Sequence, residues 1–102
     1  MKLTDLNPKW LADGKMMVFD CPHCQKIKVS VIFAPMGMGM GTQCDILEEA
    51  LGDDTPFIPC NPESRWNMSN NDFETMSITP SLNAQPAGHW HGHITNGLVI
   101  TV

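Results

Sequence analysis

The chain ends in two runs of alternating character, residues 91–95 and 98–102, joined by Asn96-Gly97. Asn-Gly between two such runs predicts a β-hairpin with a two-residue turn, because both turn positions need positive φ. The turn sets the register. Thr95 opposes Leu98, Ile94 opposes Val99, His93 opposes Ile100 and His91 opposes Val102. Directly opposed residues share a face. His91 and His93 therefore fall beside Leu98, Ile100 and Val102, an apolar set. His89 joins them if the strand runs back that far. Trp90 falls on the other face, either as core or as an exposed anchor.

Two more β-like runs frame a Cys21-Pro-His-Cys24 turn. Residues 15–20 lead into it. Residues 26–33 leave it, with Lys26, Lys28 and Ser30 alternating against Ile27, Val29 and Val31, which predicts a second hairpin. Residues 73–78 alternate as well and predict a strand with Met76 and Ile78 inward, ended by Pro80 or placed by it at an edge. Residues 81–88 read as a loop. Helical spacing is clearest over 44–51, where Ile46, Leu47, Ala50 and Leu51 recur and Gly52 is a natural stop. A short helical turn is expected within 4–13, capped by Thr4 or Asp5 and stopped by Gly14. Met36-Gly-Met-Gly-Met-Gly41 reads as a flexible loop or an adaptable Met-lined contact surface. Residues 52–62 read as loop.

At 102 residues the chain is long enough for one domain, and 34–62 looks like an inserted loop and helix within it. The fold class that follows is mostly β, a small α+β domain. Eight glycines and eight prolines agree with many turns and little helix. A core this small gains from a staple. The net charge of −5 argues against binding nucleic acid through phosphates. The acids are uneven. Asp45, Glu48, Glu49, Asp53, Asp54 and Glu63 occur in a stretch with no lysine or arginine, which reads as a solvated lobe or a docking face for a basic partner. No run is apolar enough to span a membrane, and the first ten residues hold no signal-peptide core. A reducing cytoplasm is expected, where four cysteines read as metal ligands or free thiols rather than disulfides.

Cys-x-x-Cys lets two thiolates grip one ion from a tight turn. A redox role is the rival, but a thioredoxin-like motif opens a helix, and here a β-like run follows. His23, inside the turn, reads as exposed. The second half-site is His89-Trp-His91-Gly-His93. In a strand, residues i and i+2 project to one side, roughly 6–7 Å apart at Cα, so two imidazoles can converge on one ion. Three would need a bend, which Gly92 could supply. Two cysteines and two histidines satisfy zinc's preference for four nitrogen and sulfur ligands. The expected set is Cys21, Cys24 and two of His89, His91 and His93, with His93 the second choice. Such a site would staple the two hairpins in a zinc-ribbon-like way and close a loop of about 65 residues. Cys44 and Cys60 are rival ligands in an all-cysteine site.

The pattern of Cys21-x-x-Cys24, Trp66, Ile78-Thr-Pro-Ser-Leu82 and His89-Trp-His-Gly-His-Ile-Thr-Asn-Gly97 resembles a small uncharacterised family of phage and bacterial proteins, some of whose phage members carry the label ammonia monooxygenase. The match covers about two-thirds of the chain and departs over 34–62. The resemblance implies a zinc-binding β fold with His89 and His91 as the imidazole pair. It implies no activity, and the ligand set suits a closed zinc site better than a redox metal.

Four protein ligands would leave no coordination position for substrate. The leading expectation is therefore a non-enzymatic phage accessory protein in the host cytoplasm that binds a host or phage protein, as an inhibitor of a host system in one version. The alternative is a zinc-dependent hydrolase with an open site and Asp72 or Glu74 as base, although neither His-Glu-x-x-His nor the deaminase pattern is present. A Cys44 or Cys60 nucleophile is a third reading.

Overall fold

The computed structural model describes residues 1–33, 40–52, 56–58, 66–83 and 90–101. Among these, eight strands form two four-stranded sheets. The first contains β1 (Lys9–Leu11), β2 (Met16–Asp20), β3 (Lys28–Ile32) and β4 (Phe57–Ile58), in that order. The second contains β5 (Asn67–Met68), β6 (Ile78–Asn83), β7 (His91–Thr95) and β8 (Leu98–Thr101). Neighbouring strands are antiparallel except β3 and β4, which run parallel.

Both expected hairpins are present. β2 and β3 pair from Met16↔Ile32 to Asp20↔Lys28 around the cysteine turn. β7 and β8 pair in the register set by Asn96-Gly97, from His93↔Ile100 to Thr95↔Leu98. Asn96 and Gly97 take φ of 50° and 74°, the two positive values such a turn demands.

The sheets pack face to face. Met17, Phe19, Cys21, Val29, Val31 and Phe33 on the first meet Met76, Ile78, Leu82, Trp90, Ile94 and Val99 on the second, and Leu3 and Leu6 close one side. Each side chain buried there contributes about 1.5–3 kcal/mol relative to its exposed state. Trp66 forms one corner. It bridges Phe33 of the first sheet, and its Nε1–H donates to the Ser81 carbonyl on the second.

The helix α1 (Met40–Leu51) covers the other face of the first sheet. Leu47 is fully buried there against Leu11, Met16, Val18 and Ile32, while Asp45, Glu48 and Glu49 face solvent. Gly52 ends the helix with φ of 80°, and its N–H donates to the Glu48 carbonyl. The helix begins four residues earlier than apolar spacing predicts, taking in Met40 and Gly41; residues 36–39 of the Met-Gly run lie outside the described residues. Segment 34–62 thus supplies a layer of the fold through α1 and β4.

Several local expectations change. Residues 4–13 are not one helical turn. A 3-10 turn spans Leu3–Leu6, the chain then pairs as edge strand β1, and a second 3-10 turn spans Ala12–Gly14. Phe73 does not open a strand. Asn70 Oδ1 accepts the Asp72 amide, and Asp72 Oδ1 accepts the Glu74 amide, each at 2.9 Å, which coils 70–75 into turns. Met76 and Ile78 are nevertheless both buried, as expected. Pro80 lies inside β6 rather than at its end. The β6–β7 register shifts between Ile78 and Leu82, so the missing proline N–H falls at an irregularity. Ser81 and Leu82 belong to β6 rather than to a loop; residues 84–88 lie outside the described residues. No described helix is long and apolar enough to cross a membrane.

Candidate metal centre

β2 delivers Cys21 to the face that meets the second sheet, directly after Phe19 on that face. Pro22 carries the chain into a tight turn, and Gln25 reverses it with φ of 57°. The turn is pinned by the Cys21 amide donating to the Ile27 carbonyl at 2.8 Å and the Gln25 amide donating to the Cys21 carbonyl at 2.7 Å. Below it, Lys28 Nζ pairs with Asp20 Oδ1 across the strands, and Asn7 Nδ2 donates to Asp20 Oδ2 at 2.8 Å.

Within this frame the two sulfurs meet. Cys21 is fully buried and Cys24 is half-buried against the same core. The reversal at Gln25 aims backbone amides at the Cys24 sulfur. The Lys26 amide holds its pKa below the ordinary thiol value most strongly; partial burial opposes this, and hydrogen bonds from the Cys21 thiol and from the Ile27 and Cys24 amides add to the lowering. Donors to sulfur favour the thiolate, the form that binds metals and attacks disulfides. His23 points to solvent, as expected.

The histidine strand is placed differently from its apolar reading. Leu98 and Ile100 are each 47% exposed, and His93, opposite Ile100, is exposed as well. The buried face carries Trp90, Gly92, Ile94 and Val99. Trp90 claims the interior because it is the largest side chain on the strand. Its indole meets Phe19 edge-on at 6.0 Å, and its Nε1–H donates to Thr101 Oγ1 at 3.1 Å. Gly92 does not serve as a bend. It pairs with Leu82 and Thr101, and its bare Cα makes room for the indole.

The Trp90–Phe19 contact brings the start of β7 to the end of β2 that bears the cysteines. His91 flanks Trp90 and is half-buried. His89 and Cys60 lie outside the described residues. Cys44 falls in α1, on the opposite side of the first sheet from Cys21. Among the described residues, no three His, Cys, Asp or Glu side chains converge as a metal-binding group. The structure therefore brings Cys21 and Cys24 together and leaves His93 apart on the outer face, with His91, two residues earlier on the same strand face, not converging on the cysteines either.

Comparison with known protein families, with characterised proteins and with solved structures found no match.

Asp72 and Glu74, the candidate bases, are exposed. Glu74 lines a hollow of about 300 Å³ with Lys2, Thr4, Thr75, Asn96, Gly97 and Leu98. That hollow sits at the Asn96-Gly97 turn, so the length of β7, roughly 16 Å at 3.3 Å per residue, separates it from His91. The backbone donors to Cys24 are the feature that residue spacing did not reveal. The signal available was a residue after Cys24 forced into positive φ, and Gln25 does not announce that as glycine would.

Proposed function

We propose that this chain is a small non-enzymatic binding protein whose β scaffold is locked by a structural zinc ion held by Cys21 and Cys24. His89 and His91, the pair that the resemblance implies, would complete the ligand set, which requires the start of β7 to turn His91 toward the cysteines because the two do not converge as they stand. His93 is the second choice, because the resemblance favours His89 and His91 and His93 is the more exposed of the two described histidines on β7. The observation that carries the reading is the Cys24 sulfur, which receives backbone N–H donors while touching the Cys21 thiol. Two thiolates on a tight turn fit zinc, and the Trp90–Phe19 contact anchors the start of the histidine strand near that turn. Bound there, zinc would supply a cross-link between the sheets rather than a reaction.

The biological role follows as a proposal of the same kind. A closed site suits an accessory protein that acts by contact, and the resemblance to phage and bacterial zinc proteins points to a host or phage protein as partner. Leu98 and Ile100 give apolar contact area on the outer face of the second sheet, and Asp45, Glu48 and Glu49 give an acidic helix face.

Elemental analysis of the purified protein tests the zinc. One zinc per chain is expected, lost in Cys24→Ser and reduced in His89→Ala and His91→Ala but retained in His93→Ala. Metal-free protein with an unchanged melting temperature after chelation would refute the reading.

A further inference from the structure

The geometry points to the Cys21–Cys24 turn as a thiol–disulfide exchange site whose co-substrate is a low-molecular-weight disulfide. This goes beyond the zinc reading and concerns the metal-free chain.

Three observations carry it. The two sulfurs that must bond are already in contact, with the Cys21 thiol hydrogen-bonded to the Cys24 sulfur and no disulfide formed. The two differ in access: Cys21 has no exposed surface, whereas Cys24 is only half-buried. A small reagent therefore reaches Cys24 from solvent, and Cys21 follows from within the core. The frame around them is rigid on both sides, through the Cys21–Ile27 and Gln25–Cys21 backbone hydrogen bonds and the Asp20–Lys28 pair. Ring closure then costs little backbone movement.

The chemistry balances in two displacements. Cys24 releases its proton to water, and its thiolate attacks one sulfur of the small disulfide. That S–S bond breaks and one thiolate leaves. Cys21 passes its proton to the departed thiolate and attacks the Cys24 sulfur, expelling the second thiolate, which is protonated by water. The chain loses two electrons and two protons and gains a Cys21–Cys24 bond, and the small disulfide is reduced to two thiols.

The test uses the full chain, stripped of metal by a chelator and incubated with oxidised glutathione. Its cysteines are then mapped by peptide mass spectrometry after acid quenching. The expected product is a peptide with Cys21 joined to Cys24, two hydrogens lighter, accumulating before any adduct on Cys44 or Cys60. In Cys21→Ser the reaction stops with one glutathione on Cys24, and in Cys24→Ser the buried Cys21 stays reduced. The wild-type map does not depend on either variant folding. Separate adducts on Cys21 and Cys24, pairing of either with Cys44 or Cys60, or a dithiol that stays reduced each overturn the proposal. Because the reaction is run without metal, absence of zinc from the purified protein would remove the zinc reading and leave this one standing. A zinc-bearing protein whose stripped form fails to close the bond would do the reverse.

Discussion

On β7 the indole of Trp90 lies across Gly92. A Cβ added at Gly92 would sit 2.5 Å from Trp90 Cζ2 and 2.1 Å from the Ile100 carbonyl oxygen. The second neighbour is main chain of the paired strand and cannot swing away. Gly92→Ala therefore displaces either the indole or β8. A loss of about 2 kcal/mol in unfolding free energy is expected, in the range for overpacked sites. Urea denaturation followed by tryptophan fluorescence reads it, and a variant matching the wild type would contradict the packing described.

Gly97 has two reasons to be glycine. Its φ is 74°, and a Cβ there would lie 2.1 Å from the Glu74 carbonyl oxygen. Gly97→Ala meets both the backbone strain of about 1–3 kcal/mol and the clash. The melting temperature should fall further than in Gly52→Ala, where φ is also positive but nothing lies within 4 Å.

The Asp20–Lys28 pair braces the cysteine turn, with side chains 18% and 21% exposed. Lys28→Met leaves the Asp20 carboxylate with only Asn7 of its two described partners. A cost of about 1 kcal/mol is expected for so accessible a pair. The difference between variant and wild type should narrow as salt is raised, because screening weakens the wild-type pair. A salt-independent gap would assign the effect to packing of the lysine stem.

Cys24 and Cys21 should differ in alkylation. The amide donors lower the Cys24 pKa, so at a pH below the ordinary thiol value more of it is thiolate, and its rate rises with pH through a midpoint below that of a free cysteine. Cys21, fully buried, should react only as the protein opens. Peptide-resolved iodoacetamide kinetics on metal-free protein across a pH series measure both. Equal rates for the two cysteines would remove the asymmetry that the exchange chemistry requires.

The β7–β8 register was legible to the residue, because Asn96-Gly97 admits one short turn and the turn counts outward. What the register could not say was which face turns inward. Leu98 and Ile100 made the histidine face look buried, yet Trp90, Ile94 and Val99 won the interior. Area decides this, since an indole buried against Phe19 removes more apolar surface from water than two aliphatic side chains half-covered at a rim. A single strand holds no record of that competition.

Local chemistry explains other differences. Residues 70–75 carry the Asn-Asn-Asp signal of side chain-to-backbone turns, which outweighs the alternation from Phe73 onward. Lys9–Leu11 pairs with Val18, Met17 and Met16 although its neighbours resemble a capped helix, a case of long-range pairing overriding a short local preference. The parallel pairing of β4 with β3 depends on α1 crossing the sheet between them, which no motif in either strand encodes. Of the expected metal site, the cysteine half was visible as spacing. The sulfur-directed amides were not, because they depend on the backbone sign at Gln25.

The layering of α1, the first sheet and the second sheet leaves β2 and β3 enclosed from above and below, with nearly every residue of both strands shielded. In deuterated water their amides should be the last to exchange, opening only when the whole molecule does, whereas the β7–β8 hairpin, with one wet face, can breathe on its own. The cysteine turn joins β2 to β3 directly. Reagents that seek the inner sulfur therefore wait on the slowest motion in the protein, while the outer one is available at every moment.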